Sequence, residues 1–316
     1  MTNETNETNE TNETNETNET NETNDCIILS ELQELVQQEY SVKTHNGSIV
    51  DSKLQYVFSG GGFCGFYGVG ISHIINKMNM MDNVQGMIGS SAGALNAVYI
   101  ACQVPVLTWY ESANIMRREV AAGKTILDAI YTSNDYCLPD NAHILCNKYG
   151  VEIVCARITS LGLRQEIFSN FKSRKELLLC LQASCCLPYI LEWKYPYCVK
   201  ISDSYYLDGG LVNNVPIKRY CEYDQIVVKC YNLFYPLRHR FEPTDPNIHK
   251  LIIQGATDFY TFVENPENSC VNKRVLKCLK KGKNGIFEKS YSKWVILYNI
   301  GVQLFVYTFV ARINCK

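Results

Sequence analysis

The sequence predicts an α/β fold, a three-layer α/β/α arrangement around a mainly parallel central sheet, preceded by a disordered N-terminal repeat tract. Three observations carry that prediction. From residue 54 onward, short apolar runs that end in glycine alternate with helical stretches, giving strand, helix, strand, helix within about fifty residues. That order calls for parallel strands with both faces covered by helices. Residues 2–22, in contrast, are seven copies of Thr-Asn-Glu with nothing apolar to bury. Finally, three glycine-framed segments follow strand-like runs, where ligands of α/β sheets bind.

Residues 1–25 are read as disordered, because a polar, acidic tract cannot offset the entropy of ordering. The Asn-Glu-Thr sequons in it are taken as incidental to the repeat, since no basic and apolar leader precedes them. An extension over 26–53 carries Leu32, Leu35 and Val36 at helical spacing after Ser30, which predicts a short amphipathic helix over 30–40. Residues 54–59 form an apolar run consistent with a buried strand. A helix is expected over 66–80, a second strand over 84–88 and a second helix over 92–103. The segment 105–147 reads mainly as helix broken by turns, 151–158 as a β-branched strand, and 173–183 as a helix. A strand pair over 197–207 leads to Asp208, 225–230 reads as the last strand of the sheet, and 247–264 as an amphipathic helix. These divide into a catalytic domain at 54–231, an accessory region with a basic segment at 232–293, and a hydrophobic tail at 294–316.

Composition narrows the function classes. The chain has 316 residues, 46% hydrophobic and 20% charged, with a net charge of −2 and a pI of about 6.2. No global charge points to nucleic acid. Fifteen cysteines form an odd set without a Cys-x-x-Cys pair, which argues against a zinc ribbon or a regular disulfide framework and for free thiols in a reducing, intracellular compartment.

The chemistry is concentrated in the three glycine-framed segments. Gly60-Gly61-Gly62-Phe63-Cys64-Gly65 opens a helix after a strand, so its backbone N–H groups can form a nest for a phosphate or an oxyanion. The same string fits a dinucleotide fingerprint, but no acidic residue ends a second strand where that fingerprint needs one. Gly89-Ser90-Ser91-Ala92-Gly93 matches a GxSxG nucleophile elbow, in which a tight strand-to-helix turn raises the Ser91 hydroxyl above the sheet edge. The N–H of Ala92 is a further oxyanion donor. Asp208-Gly209-Gly210 ends a strand and can place a carboxylate in the same crevice.

These segments, in this order, resemble the patatin-like phospholipase family. Ala183-Ser184-Cys185-Cys186-Leu187-Pro188 is similar to that family's Ala-Ser-x-x-x-Pro segment, and the run from Asp208 through Asn213 to Pro216 to its Asp-Gly-Gly region. The resemblance spans about 54–220. It implies a Ser91–Asp208 dyad, an oxyanion hole at Gly60, Gly61, Gly62 and Ala92, motif glycines at Gly65, Gly89, Gly93, Gly209 and Gly210, and hydrolysis of acyl lipids without metal or cofactor. Cys64 stands where the family usually carries Arg or Lys. Three alternatives remain open: a Ser-Asp-His triad using His239 or His249, acyl transfer to an alcohol, and a catalytically silent lipid- or protein-binding module. His45, His73 and His143 precede Asp208 and show no motif.

The tail supplies the expected location. Residues 294–311 carry no charge, and 273–293 hold eight basic residues against one acid. An apolar stretch with a basic flank suits an anionic membrane surface, either lying on it or spanning it once. Acyl lipids and that surface are the expected partners.

Overall fold

A computed structural model describes residues 30–32, 53–188, 198–218, 221–230, 245–264 and 276–279. The chain divides into two units, Met1–Asn46 and Gly47–Lys316. In the first, 30–32 form a helical turn, inside the stretch expected to be helical. The Thr-Asn-Glu tract, His45, His239 and the apolar tail lie outside the described residues, as does all of the basic run except 276–279.

The second unit is a mixed α/β structure whose central sheet is flanked by helices. β1 (Leu54–Phe58), β2 (Val84–Ser90), β3 (Val151–Thr159) and β7 (Asp224–Val228) form its parallel middle, in the order β3-β2-β1-β7. Antiparallel strands complete it. β4 (Gly162–Phe168) forms a hairpin with β3, β6 (Ser204–Asp208) pairs with β3 and with β5 (Val199–Ile201), and β8 (Leu276–Leu279) pairs with β7. The expected parallel sheet is therefore present. β7, read as its last strand, is not the last, because β8 adds to the sheet from the segment expected to be accessory.

Alternation sorts the strand residues onto two faces. Val57, Ile88, Val154 and Val227 form one buried cluster, covered by Val212, Val215 and Ile217. Each such side chain contributes roughly 1.5–3 kcal/mol on full burial. Tyr56 and Phe58 face the other way, and the Tyr56 ring meets Phe259 at a centroid distance of 6.3 Å. Phe259 belongs to α8 (Asp245–Glu264), which packs on α1 (Phe66–Lys77).

The remaining helices follow local signals. α2 (Ala92–Ala101) starts at the elbow. The helical middle resolves into α3 (Val106–Ala121), α4 (Ile126–Cys137) and α5 (Ala142–Lys148). Thr125 caps α4 by accepting a hydrogen bond from the Asp128 N–H at 3.0 Å. Ser173 does the same for α6 (Arg174–Ser184), accepting from Glu176 N–H at 3.2 Å. Each cap satisfies an amide that the first turn leaves unpaired. α7 (Gly210–Asn213) is a single turn that follows Asp208 after its N-cap Gly209.

Candidate active site

β3 brings the elbow and the carboxylate together. β4 occupies one edge of β3 from Ile153 to Thr159, so β2 and β6 share the other. β2 runs parallel to β3 and ends with Ser90 opposite Val154. β6 runs antiparallel and ends with Asp208 opposite Cys155. The two strands thus meet end to end at adjacent residues of β3.

Ser91 sits at that turn with φ 55° and ψ −129°. A non-glycine residue there costs about 1–3 kcal/mol and persists only where its surroundings hold it. Close packing requires the flanking glycines: a Cβ on Gly89 would fall 2.1 Å from the Gly93 carbonyl oxygen, and one on Gly93 would fall 2.4 Å from that of Phe58. The Ser91 N–H donates to Ser184 Oγ at 2.9 Å.

Asp208 is 1% exposed and Ser91 7%. Burial pushes the Asp208 carboxyl up to about 7, while the Ser91 hydroxyl and the Gly210 N–H pull it partly back. Gly210 N–H donates to Oδ1 at 2.7 Å, and the Asp208 N–H donates to the Cys186 carbonyl at 2.8 Å. Oδ2 closes no hydrogen bond among the described residues.

The glycine loop runs from the end of β1 into a 3-10 turn, Gly62–Gly65, and on into α1. Its donors are not equivalent. The Gly60 N–H is already engaged with the Asn214 carbonyl at 3.1 Å. The N–H groups of Gly61, Gly62 and Ala92 carry no hydrogen bond among the described residues. Gly62 adopts φ 58°, Gly65 lies against Ala92, and Gly209 N–H donates to the Ser184 carbonyl at 3.3 Å.

A cavity of about 100 Å³ opens beside Ser91. Phe63, Phe66, Leu95, Trp109 and Ile130 contribute apolar walls, and no charged side chain lines it among the described residues. The Phe63 and Phe66 rings stack at 6.4 Å. Cys64 is fully buried. His249 lies on α8 and His143 on α5, neither lining this cavity. His73 lies on α1, where burial pushes its pKa down to about 4.

Two groups at the site had no role assigned from sequence. Ser184 was visible only as part of a similar segment, and Asn214 only as a neighbour of Asp-Gly-Gly. Their contacts depend on tertiary pairing of residues far apart in the chain.

The patatin-like phospholipase family model matches residues 56–219. Over 174 residues the chain is 27% identical to the 1-acylglycerol-3-phosphate O-acyltransferase PNPLA3 of Homo sapiens, and over 175 residues 29% identical to the Mus musculus protein of the same name. The matches cover 50% and 51% of this chain but only 34% and 40% of those relatives, so it spans well under half their length. Among solved structures, VipD from Legionella pneumophila aligns with 14% identity and a TM-score of 0.33, over 60% of this chain and 52% of that one. With the family model covering more than half of its length, the chain belongs to the patatin-like phospholipase family.

Proposed function

We propose that the protein is a lipid acyl hydrolase in which Ser91 is the nucleophile and Asp208 its base. The observation that supports this reading is the end-to-end meeting of β2 and β6 on β3, which brings the start of the elbow and a buried carboxylate to adjacent residues of one strand. Asp208 accepts the Ser91 proton as the oxygen attacks the acyl carbonyl. The tetrahedral oxyanion is held by the N–H groups of Gly61, Gly62 and Ala92, while Gly60 anchors the loop through Asn214. Asp208 then gives its proton to the departing alcohol, leaving an acyl-Ser91 ester. Water, deprotonated by Asp208, attacks that ester and releases the fatty acid. A base near pKa 7 suits this work better than an ordinary aspartate near 3.9. The cavity accommodates part of the acyl chain. Its lack of charged lining, together with Cys64 in place of a cation, leaves the head group to be recognised elsewhere.

A second reading has one observation in its favour: both curated relatives carry an acyltransferase name. The acyl-enzyme is common to both outcomes, and an alcohol that enters before water takes the acyl group instead. Incubating the purified chain with radiolabelled acyl lipid, with and without a lysolipid acceptor, separates free fatty acid from transferred acyl product. Ser91→Ala and Asp208→Asn abolish both products if the dyad is right, and retained turnover in either variant refutes it.

For location, we propose that the basic run and the apolar tail hold the enzyme at a lipid surface. Among the described residues no helix is long and apolar enough to cross a membrane.

A further inference from the structure

We infer that Ser184, the last residue of α6, is a positioning residue that locks the nucleophile elbow to the sheet and to the Asp208 turn. The inference rests on the reading of Ser91 as nucleophile. Ser184 is fully buried and uses both hydroxyl functions. Oγ donates to the Val154 carbonyl at 2.7 Å and accepts from the Ser91 N–H at 2.9 Å. Val154 is the β3 residue opposite Ser90, so the bridge spans the point where β2 gives way to the elbow. The backbone of the same residue serves the other side of the site, because its carbonyl accepts from Gly209 N–H at 3.3 Å. Two residues on, the Cys186 carbonyl accepts from Asp208 N–H at 2.8 Å. One helix end therefore holds both halves of the proposed dyad, one through a side chain and one through the backbone.

This division has a chemical consequence. Ser91 occupies a backbone conformation that needs external support, and its amide is the nearest handle by which that conformation can be fixed. Alanine at 184 removes the handle and leaves the Ser91 N–H and the Val154 carbonyl without the Ser184 partner in a buried place. The Ser91 hydroxyl then samples positions off the line of attack. Asp208 keeps its position, because the bonds that hold its turn come from carbonyl groups that the substitution does not touch.

The test is the reaction of the full chain with a fluorophosphonate ester and with a soluble p-nitrophenyl ester, comparing wild type, Ser184→Ala and Ser184→Cys. For Ser184→Ala the rate constants of labelling and of turnover per labelled site fall by about 10- to 100-fold, as for a nucleophile displaced by about an ångström. KM, labelling stoichiometry and the pH midpoint set by Asp208 stay at wild-type values. Ser184→Cys, similar in size with a weaker donor and acceptor, falls between the two. Wild-type rate constants in both variants overturn the inference. So does reduced stoichiometry at an unchanged rate constant, or failure of both variants to fold, since either makes Ser184 a residue of the fold alone. If Ser91→Ala itself labels and turns over, the nucleophile assignment has failed instead.

Discussion

Ser90 and Asp208 end their strands against consecutive residues of β3, Val154 and Cys155, approaching from opposite directions along one edge. The spacing of the proposed dyad is thus set by strand register, and register is fixed by which side chains must face the buried cluster.

The ionisation of Asp208 predicts both a rate profile and a stability profile. With its carboxyl pushed up to about 7 by burial, kcat/KM rises with pH and levels off above that value, because only the carboxylate accepts the Ser91 proton. The sign for stability is opposite. The folded state holds this proton more tightly than the unfolded chain, so the stability this group contributes is full below about pH 4 and is lost as pH rises through about 7. Asp208→Asn removes that loss. The variant is inactive, melts above wild type at pH 8, and the difference shrinks toward pH 5. An equal melting temperature at both pH values means that the carboxyl is not strained by burial.

Gly60 is the position in the loop where a side chain meets the nucleophile directly. A Cβ there would lie 2.5 Å from Asn214 Oδ1 and 3.0 Å from the Ser91 Cβ. Gly60→Ala lowers kcat on a soluble ester by about 100-fold, the scale of losing a preorganised oxyanion donor, with a small change in melting temperature. A variant with wild-type kcat means that the loop and the elbow do not depend on one another.

α1 and α8 cross at glycines. A Cβ on Gly255 would fall 1.9 Å from the Tyr67 carbonyl oxygen, and one on Gly70 would fall 1.9 Å from that of Ile252. Gly255→Val therefore forces the helices apart and costs about 3 kcal/mol, read as a lower denaturation midpoint. Activity per folded molecule survives, because the substitution lies outside the cavity. An unchanged midpoint contradicts the close crossing.

Much of this was legible in the sequence where the signal is local. β1 and the starts of α1 and α2 stand where glycine frames and apolar runs place them, and Ser173 caps α6 in the expected region. β4 was not foreseen, because Gly162–Phe168 carries Arg164, Gln165 and Glu166 and pairs only with β3 among the described strands. β8 was not foreseen because it lies in a lysine-rich run, where composition points to a solvated segment. The engagement of the Gly60 N–H by Asn214 was also hidden, since nothing local links two residues so far apart.

The basic run and apolar tail give a prediction about place rather than chemistry. Removing residues 294–316 releases the protein from anionic vesicles in a flotation assay and lowers turnover of vesicle lipid. Turnover of a soluble ester persists. Binding also weakens with salt, as lysine attraction to an anionic surface does. Loss of both activities together shows that the stretch belongs to the core and refutes the anchor.

The nucleophile assignment is tested most directly by identifying the residue that a serine-directed phosphonylating probe modifies. The purified chain is reacted with a fluorophosphonate probe, digested, and the modified peptide sequenced by mass spectrometry. The account predicts one adduct, on Ser91, absent from Ser91→Ala and strongly slowed in Asp208→Asn, with His249→Ala labelled at the wild-type rate. An adduct on any other residue, or ester turnover by a chain in which Ser91 has been replaced, contradicts it.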